Sequence, residues 1–283
     1  MVFEDLIGPT YAKRHPTKLF FFGVVFALLA IAFGLWIFPT ESSMVVVFLV
    51  VIMTIPLTYV TLVQEEAEEF VSNKEVWLLR EHGRVVRFFM YLFLGLIVGF
   101  SLFYVFSSNA MVQKVFSLQL STIESINNPV SGGAFVSQAF FSILTNNLKV
   151  LFFCLLFAVF FGAGAIFILA WNASVISAAI GTYVRNGIAE YASLLGFNSV
   201  AIHFNLFVAG ILRYMLHGVF EIAAYFIAGL AGGIMSVALI NDSVRIMRLK
   251  RVIKDTTILI AIAIILIVFG ALVEVFVTPV FFK

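Results

Sequence analysis

An all-α, polytopic membrane protein with about seven transmembrane helices is the fold this sequence predicts, on three observations. Apolar residues fill 63% of the 283 positions and charged residues 11%, with a mean hydropathy of +1.12, and no globule of this size has interior enough to hide so much apolar surface. The apolar residues fall in runs of about 20, the length a helix needs to cross roughly 30 Å of hydrocarbon. Lys and Arg are concentrated in alternate connections between those runs. A soluble domain is therefore excluded, and the net charge of +2 bears on orientation and not on nucleic acid.

Residues 1–106 are expected to form an N-terminal three-helix membrane region. The runs at 18–38 and 44–63 are separated by only five residues, PTESS, so they form a hairpin, and Pro56 inside the second removes one backbone hydrogen bond and kinks it. The first 17 residues are polar and basic with no cleavage-site pattern, so the first run is expected to stay as a membrane helix. Residues 64–87 have helical spacing and too many charges to insert, which makes them an amphipathic cytoplasmic segment. Glu65, Glu66, Glu68 and Glu69 are read as its solvated face. Residues 88–106 cross again.

Residues 107–145 are the outer polar, interfacial connection, broken by Asn127-Asn128-Pro129 and Gly132-Gly133; VFSLQL and FVSQAFFSIL within it read as amphipathic helices on or dipping into the membrane surface. The helical core at 146–240 follows. Its fourth crossing is placed at 148–171, capped by Asn146 and Asn147, with Gly162 and Gly164 allowing close packing. Its fifth is placed at 172–196, where Ala, Ser and Gly suit a helix enclosed by others, an interfacial helix being the competitor. A lead-in at 201–215 and the sixth crossing at 216–240 complete it. Residues 241–283 are a basic cytoplasmic loop, whose Arg245, Arg248, Lys250, Arg251 and Lys254 anchor it to anionic lipid, and a last crossing at 257–277.

The N-terminal segment and the 64–87 and 241–257 loops carry 12 of the 17 Lys and Arg, so a cytoplasmic N-terminus and an outer C-terminus in a cell (inner or plasma) membrane are expected. Two glycosylation sequons, at Asn172 and Asn241, fall on the cytoplasmic side of that arrangement and are chance matches. Cys154, alone in an apolar run, excludes an intrachain disulfide and a cysteine metal cluster.

The chain is organised around 211–233, ILRYMLHGVFEIAAYFIAGLAGG. On one helix, Arg213, His217 and Glu221 stand four apart on one face, and Ala228, Gly229, Gly232 and Gly233 leave the lower face nearly bare for another helix backbone, while Leu230 faces lipid. With Glu190 and Glu274, the three form an expected polar cluster in the outer third of the membrane, Arg213, His217 and Glu221 pairing along their own helix. Such a cluster serves either as an ion-pair knot that fixes packing or as a proton or solute path. A metal site would need more than the two ligands His217 and Glu221 supply, so no metal or cofactor is expected. No phosphate loop, nucleophile elbow or paired catalytic aspartates occur.

Asn146-Asn147, an apolar helix with Gly162 and Gly164, Asn172 and a small-residue helix with Gly181, His217-Gly218 with Glu221, and then Ala228-Gly229 and Gly232-Gly233 follow one another in an order that resembles the stage II sporulation protein M family of membrane proteins. The resemblance covers about 140–240, with Leu216 where the family has Pro and Ala173 where it has Gly. It implies a helical membrane protein without a recognised catalytic centre, and, in sporulating bacteria, a scaffold that works with peptidoglycan-degrading partners. The function expected first is a membrane scaffold that organises partner proteins; a transporter or channel component using the His/Glu/Arg cluster is the alternative, and a membrane-embedded enzyme the third. Lipids, protein partners and a second copy of the chain are the expected partners.

Overall fold

The structure is a computed structural model that describes residues 16–71, 75–127, 136–161, 165–195, 200–240 and 246–281. Among them the only regular structure is helix, without a strand: α1 (Pro16–Ile37), α2 (Ser42–Val71), α3 (Glu75–Phe106), α4 (Asn109–Asn127), α5 (Val136–Phe161), α6 (Ala165–Leu195), α7 (Val200–Ile240) and α8 (Ile246–Leu272), which passes through a π-helical turn (Val273–Val277) into the short α9 (Thr278–Phe281). Six stretches of the described residues are long and apolar enough to cross a membrane, in α1, α3, α5, α6, α7 and α8 with its extension. The described apolar part of α2, Ser42–Leu57, is shorter, and its helix continues to Val71.

Contacts fix the relative directions of these helices. Gly99 lies against Val24 and Ala27 while Gly95 meets Phe20, so α1 and α3 run parallel. Ile97 meets Ser177 and Tyr104 meets Thr182, so α6 runs with α3. Asn147 meets Glu221 and Ala158 meets Gly232, so α5 and α7 run together, whereas α7 and α8 are antiparallel through Glu221–Gly270 and His217–Thr278. With Gly34 against Val46 closing the α1–α2 hairpin, α1, α3, α6 and α8 point one way and α2, α5 and α7 the other. That is the alternation seven crossings require.

Three predicted boundaries move. The fourth and fifth crossings do not meet at Trp171 and Asn172: α6 begins at Ala165 and passes through both, because Asn172 Nδ2 donates to its own helix's Ile168 carbonyl (2.7 Å) and needs no membrane surface. Gly162 and Gly164 lie outside the described residues. Residues 136–145 are the first turns of α5 and not part of a connection, so Asn146 and Asn147 do not cap that helix but stand inside it. Finally, 201–215 is continuous with the sixth crossing; at 41 residues α7 is about 60 Å long, twice the hydrocarbon thickness, so it projects or tilts steeply.

The connection between α3 and α5 contains α4, which is amphipathic and packs through Val112, Val115, Phe116 and Gln119. It runs back along α6, from Arg185 Nη1 donating to Asn109 Oδ1 (2.6 Å) to Gln119 Nε2 donating to Ser174 Oγ (3.1 Å). Ser43 Oγ donates to Gln119 Oε1 (2.8 Å), so one buried amide ties α2, α4 and α6 together. Arg185 also lies over the Tyr104 ring (5.3 Å) and donates to the Ser107 carbonyl.

Burial refines the expected topology test. Ser42 is buried, so the outer reporters are cysteines at Glu41 and Ser121, both exposed, and the inner one is at Lys250, also exposed; native Cys154 is buried and silent. In intact cells an impermeant thiol reagent is expected to label positions 41 and 121 and to reach 250 only after lysis. Labelling of 250 in intact cells would reverse the orientation.

Candidate functional site

Asn147, at 6% exposure, is a buried side chain on a helix rich in Phe, Leu and Val, where an amide without partners would be costly. Its partners come from α7. Asn147 Nδ2 donates to Glu221 Oε1 at 2.6 Å, and the Tyr225 hydroxyl, 3% exposed, donates to Asn147 Oδ1 at 3.0 Å. Glu221 and Tyr225 are one helical turn apart, so a single residue of α5 engages both.

The third wall is α8. A Cβ on Gly270 would stand 3.0 Å from Glu221 Cγ, so a bare backbone lets α8 close against the carboxylate. One turn further, the helix widens into the π-helical segment that carries Glu274, which is within electrostatic range of both Glu221 and Tyr225. Thr278 donates its backbone N–H to the Val273 carbonyl, the bond that closes the π turn, and its hydroxyl to the same carbonyl (3.2 Å), while its Oγ1 lies 3.3 Å from His217 Nδ1. Single π turns inside α-helices cluster at functional sites, because the extra residue re-aims side chains that a regular helix would place elsewhere.

The expected polar cluster is thus rearranged. Arg213, His217 and Glu221 do not pair along α7; each takes its partner from another helix. Arg213 lies over the Tyr183 ring of α6 (5.4 Å), His217 turns to Thr278, and Glu221 turns to Asn147. The reason is reach: on a helix with partners on three sides, a neighbouring amide or hydroxyl competes successfully with a residue one turn away on the same helix. Among the described residues no salt bridge joins the three, and the charged group that acts on Glu221 from α8's π turn is the carboxyl of Glu274. Glu190 stands exposed near the end of α6, apart from this centre. Asn146 is exposed, Asn172 serves its own helix, and Gly218 is buried with only Met215 and Ile222 of its own helix near its missing side chain.

Below the acidic centre the small residues of α7 receive other helices. A Cβ on Gly232 would lie 2.6 Å from Ala158 Cβ and 2.9 Å from the Leu155 carbonyl of α5, and one on Gly229 would lie 3.1 Å from Ala165 Cβ of α6. Ala228 and Gly233 are buried as well, and so is Leu230, which the helical spacing placed towards lipid; at 2% exposure it faces the bundle. Tyr225, Thr278 and Gly270 are members of the centre that the spacing of Arg213, His217 and Glu221 does not single out. Tyr225, at i+4 from Glu221, carried a signal that could have been read; Thr278 and Gly270 did not, since they become neighbours only through the packing of α8.

The centre is built by α5, α7 and α8 with its π turn and α9. Residues 85–279, well over half the chain, match the family model of SpoIIM, Stage II sporulation protein M. The chain belongs to the SpoIIM family. The match extends well beyond the 140–240 core on which the likeness first rests, and takes in α3, α4 and α8 with its π turn. All of Asn147, His217, Glu221, Tyr225, Gly270, Glu274 and Thr278 therefore lie inside the SpoIIM region, whereas α1 and α2 lie outside it. No curated protein and no solved structure is found to match the chain. Among the described residues no group of three or more His, Cys, Asp or Glu could hold a metal ion.

Proposed function

We propose that this SpoIIM-family membrane protein is a transport component in which Glu221 takes up and releases a proton as a solute or the proton itself passes between α5, α7 and α8. The observation that carries the reading is the bond from buried Asn147 to Glu221, with Glu274 within electrostatic range of Glu221 and, among the described residues, no salt bridge to either. A carboxylate inside a bilayer is retained against its desolvation only where it is neutralised, and one whose partners are an amide and another carboxylate is neutralised by a proton. His217 and Thr278 continue the polar line one turn towards the N-terminal end of α7, towards Arg213.

The scaffold reading keeps one observation in its favour. Phe204, Val208 and Leu212, at four-residue spacing on the N-terminal half of α7, are exposed and offer apolar surface to a partner as well as to lipid. Reconstitution separates the two. Wild-type protein in liposomes under an imposed pH gradient is expected to carry protons above the rate of empty liposomes, read by an enclosed pH dye. Flux equal to that of empty liposomes would defeat the transport reading and leave the scaffold.

A further inference from the structure

We infer that the protein pairs with a second copy of itself through the exposed faces of α4 and α5, where Lys149 of each copy meets Glu124 of the other. Ser142, Thr145 and Lys149 recur at helical spacing on α5 and are all exposed, on the side opposite the buried Asn147, Leu151, Cys154 and Ala158. α5 is long and apolar enough to span a membrane and is the least buried of the six such stretches, and an exposed ammonium on a spanning helix is expensive unless it is paired. Other spans turn apolar side chains outward, among them Phe21 and Val25 on α1 and Ile265 and Phe269 on α8. On α4, the exposed acid is Glu124. Neither Lys149 nor Glu124 has an ion-pair or hydrogen-bond partner among the described residues, so one carries the charge that the other lacks.

A two-fold axis along the membrane normal leaves heights unchanged, so two residues that pair across it must stand at one height in the single chain. Contacts place both against α6. Asn147 meets Glu221 and Ala158 meets Gly232, which sets Leu155 of α5 level with Gly229 of α7, and Gly229 faces Ala165 of α6. Since α5 and α6 are antiparallel, Lys149 is level with Trp171. α4 also runs antiparallel to α6, with Asn109 at Arg185 and Gln119 at Ser174, so Glu124 is level with Leu169. The two heights differ by about 3 Å, the rise of two helical residues. α4 and α5 both pack on α6, whose Ile168, Val175 and Ala179 share one half-buried strip that a second copy would cover. Across the axis each Lys149–Glu124 pair then forms twice. Asn147 and Lys149, two residues apart, lie on opposite sides of α5, so the pairing surface is separate from the acidic centre and the inference does not depend on how Glu221 is read.

The test is a charge exchange read by self-association of the full-length protein in liposomes, with energy transfer between donor- and acceptor-labelled copies followed as lipid is added. Wild type is expected to associate. K149E and E124K are each expected to weaken association about tenfold, because each sets two like-charged pairs across the axis, and the double variant K149E/E124K is expected to restore it. Both side chains are exposed, so the melting temperatures of all four proteins in detergent are expected to agree, which separates loss of pairing from loss of fold. Oxidation of E124C/K149C in liposomes is expected to give a disulfide-linked dimer, with little from either single cysteine; native Cys154 is buried. A wild type that stays monomeric at every dilution would overturn the inference and leave Lys149 to lipid headgroups or to an acidic helix of another protein. A double variant as weak as the singles, or K149C alone cross-linking as well as the pair, would overturn it too, the latter by setting α5 against α5.

Discussion

Gly95→Ala is expected to destabilise the protein more than any other single methyl group added to a helix of the N-terminal region. Gly95 and Gly99 form a G-x-x-x-G face on α3, and α1 rests on it backbone to backbone: a Cβ on Gly95 would collide with the Phe20 carbonyl, and one on Gly99 would lie 2.8 Å from Ala27 Cβ and 2.9 Å from the Val24 carbonyl. A carbonyl cannot swing aside as a side chain can, so the helices must separate along an interface that includes the buried Leu19, Ala27, Leu92 and Leu96. Within lipid no hydrophobic drive restores such a contact once its close packing is lost. The expected loss is about 3 kcal/mol, at the upper end of overpacking effects. Gly83→Ala is the control of identical chemistry: nothing lies within 4 Å of its added methyl, so it is expected to be neutral or to gain about 0.5–1 kcal/mol from helix propensity. Melting curves of the three proteins in one detergent decide it, and equal midpoints for Gly95→Ala and Gly83→Ala would mean that α1 does not rest on α3.

The sequence carries the two kinds of information in this fold unequally. Apolar run length reveals that helices cross, and the clustering of Lys and Arg at alternate ends gives an order that the contact directions of α1 to α8 follow. What it does not give is where one long apolar run divides. From Val136 to Leu195 the composition changes gradually, and Trp171-Asn172 looks like the natural break, because an Asn in a bilayer suggests an end until it is seen bonded to Ile168 of its own helix. The polar centre shows the same limit. Helical spacing places Arg213, His217 and Glu221 on one face, but it says nothing of Asn147, 74 positions away from Glu221, or of Thr278, 61 positions from His217, and those are the residues that meet them. Spacing along one helix establishes which residues share a face; only packing between helices establishes what that face meets.

Glu221→Gln is expected to abolish proton flux while leaving the fold nearly intact, and the reason lies in what the glutamine keeps. Its amide has almost the same shape as the carboxyl and retains an oxygen that accepts from Asn147 Nδ2, so the 2.6 Å link between α5 and α7 survives, with the buried Tyr225–Asn147 contact behind it. No salt bridge to Arg213 or His217 is lost, because neither is paired with Glu221. Removing the carboxyl also relieves the repulsion between Glu221 and Glu274 whenever both are ionised. The net change in stability is therefore expected to stay within about 1 kcal/mol. What disappears is the capacity to bind and release a proton in the middle of the path, and a neutral amide cannot replace it at any pH. The same liposome samples give both readings, flux from an enclosed pH dye and stability from thermal unfolding. A variant that folds and still carries protons at the wild-type rate would remove Glu221 from the path. A variant that loses roughly 3 kcal/mol or more, beside a wild type with no flux, would make the centre a packing device and return the protein to the scaffold reading.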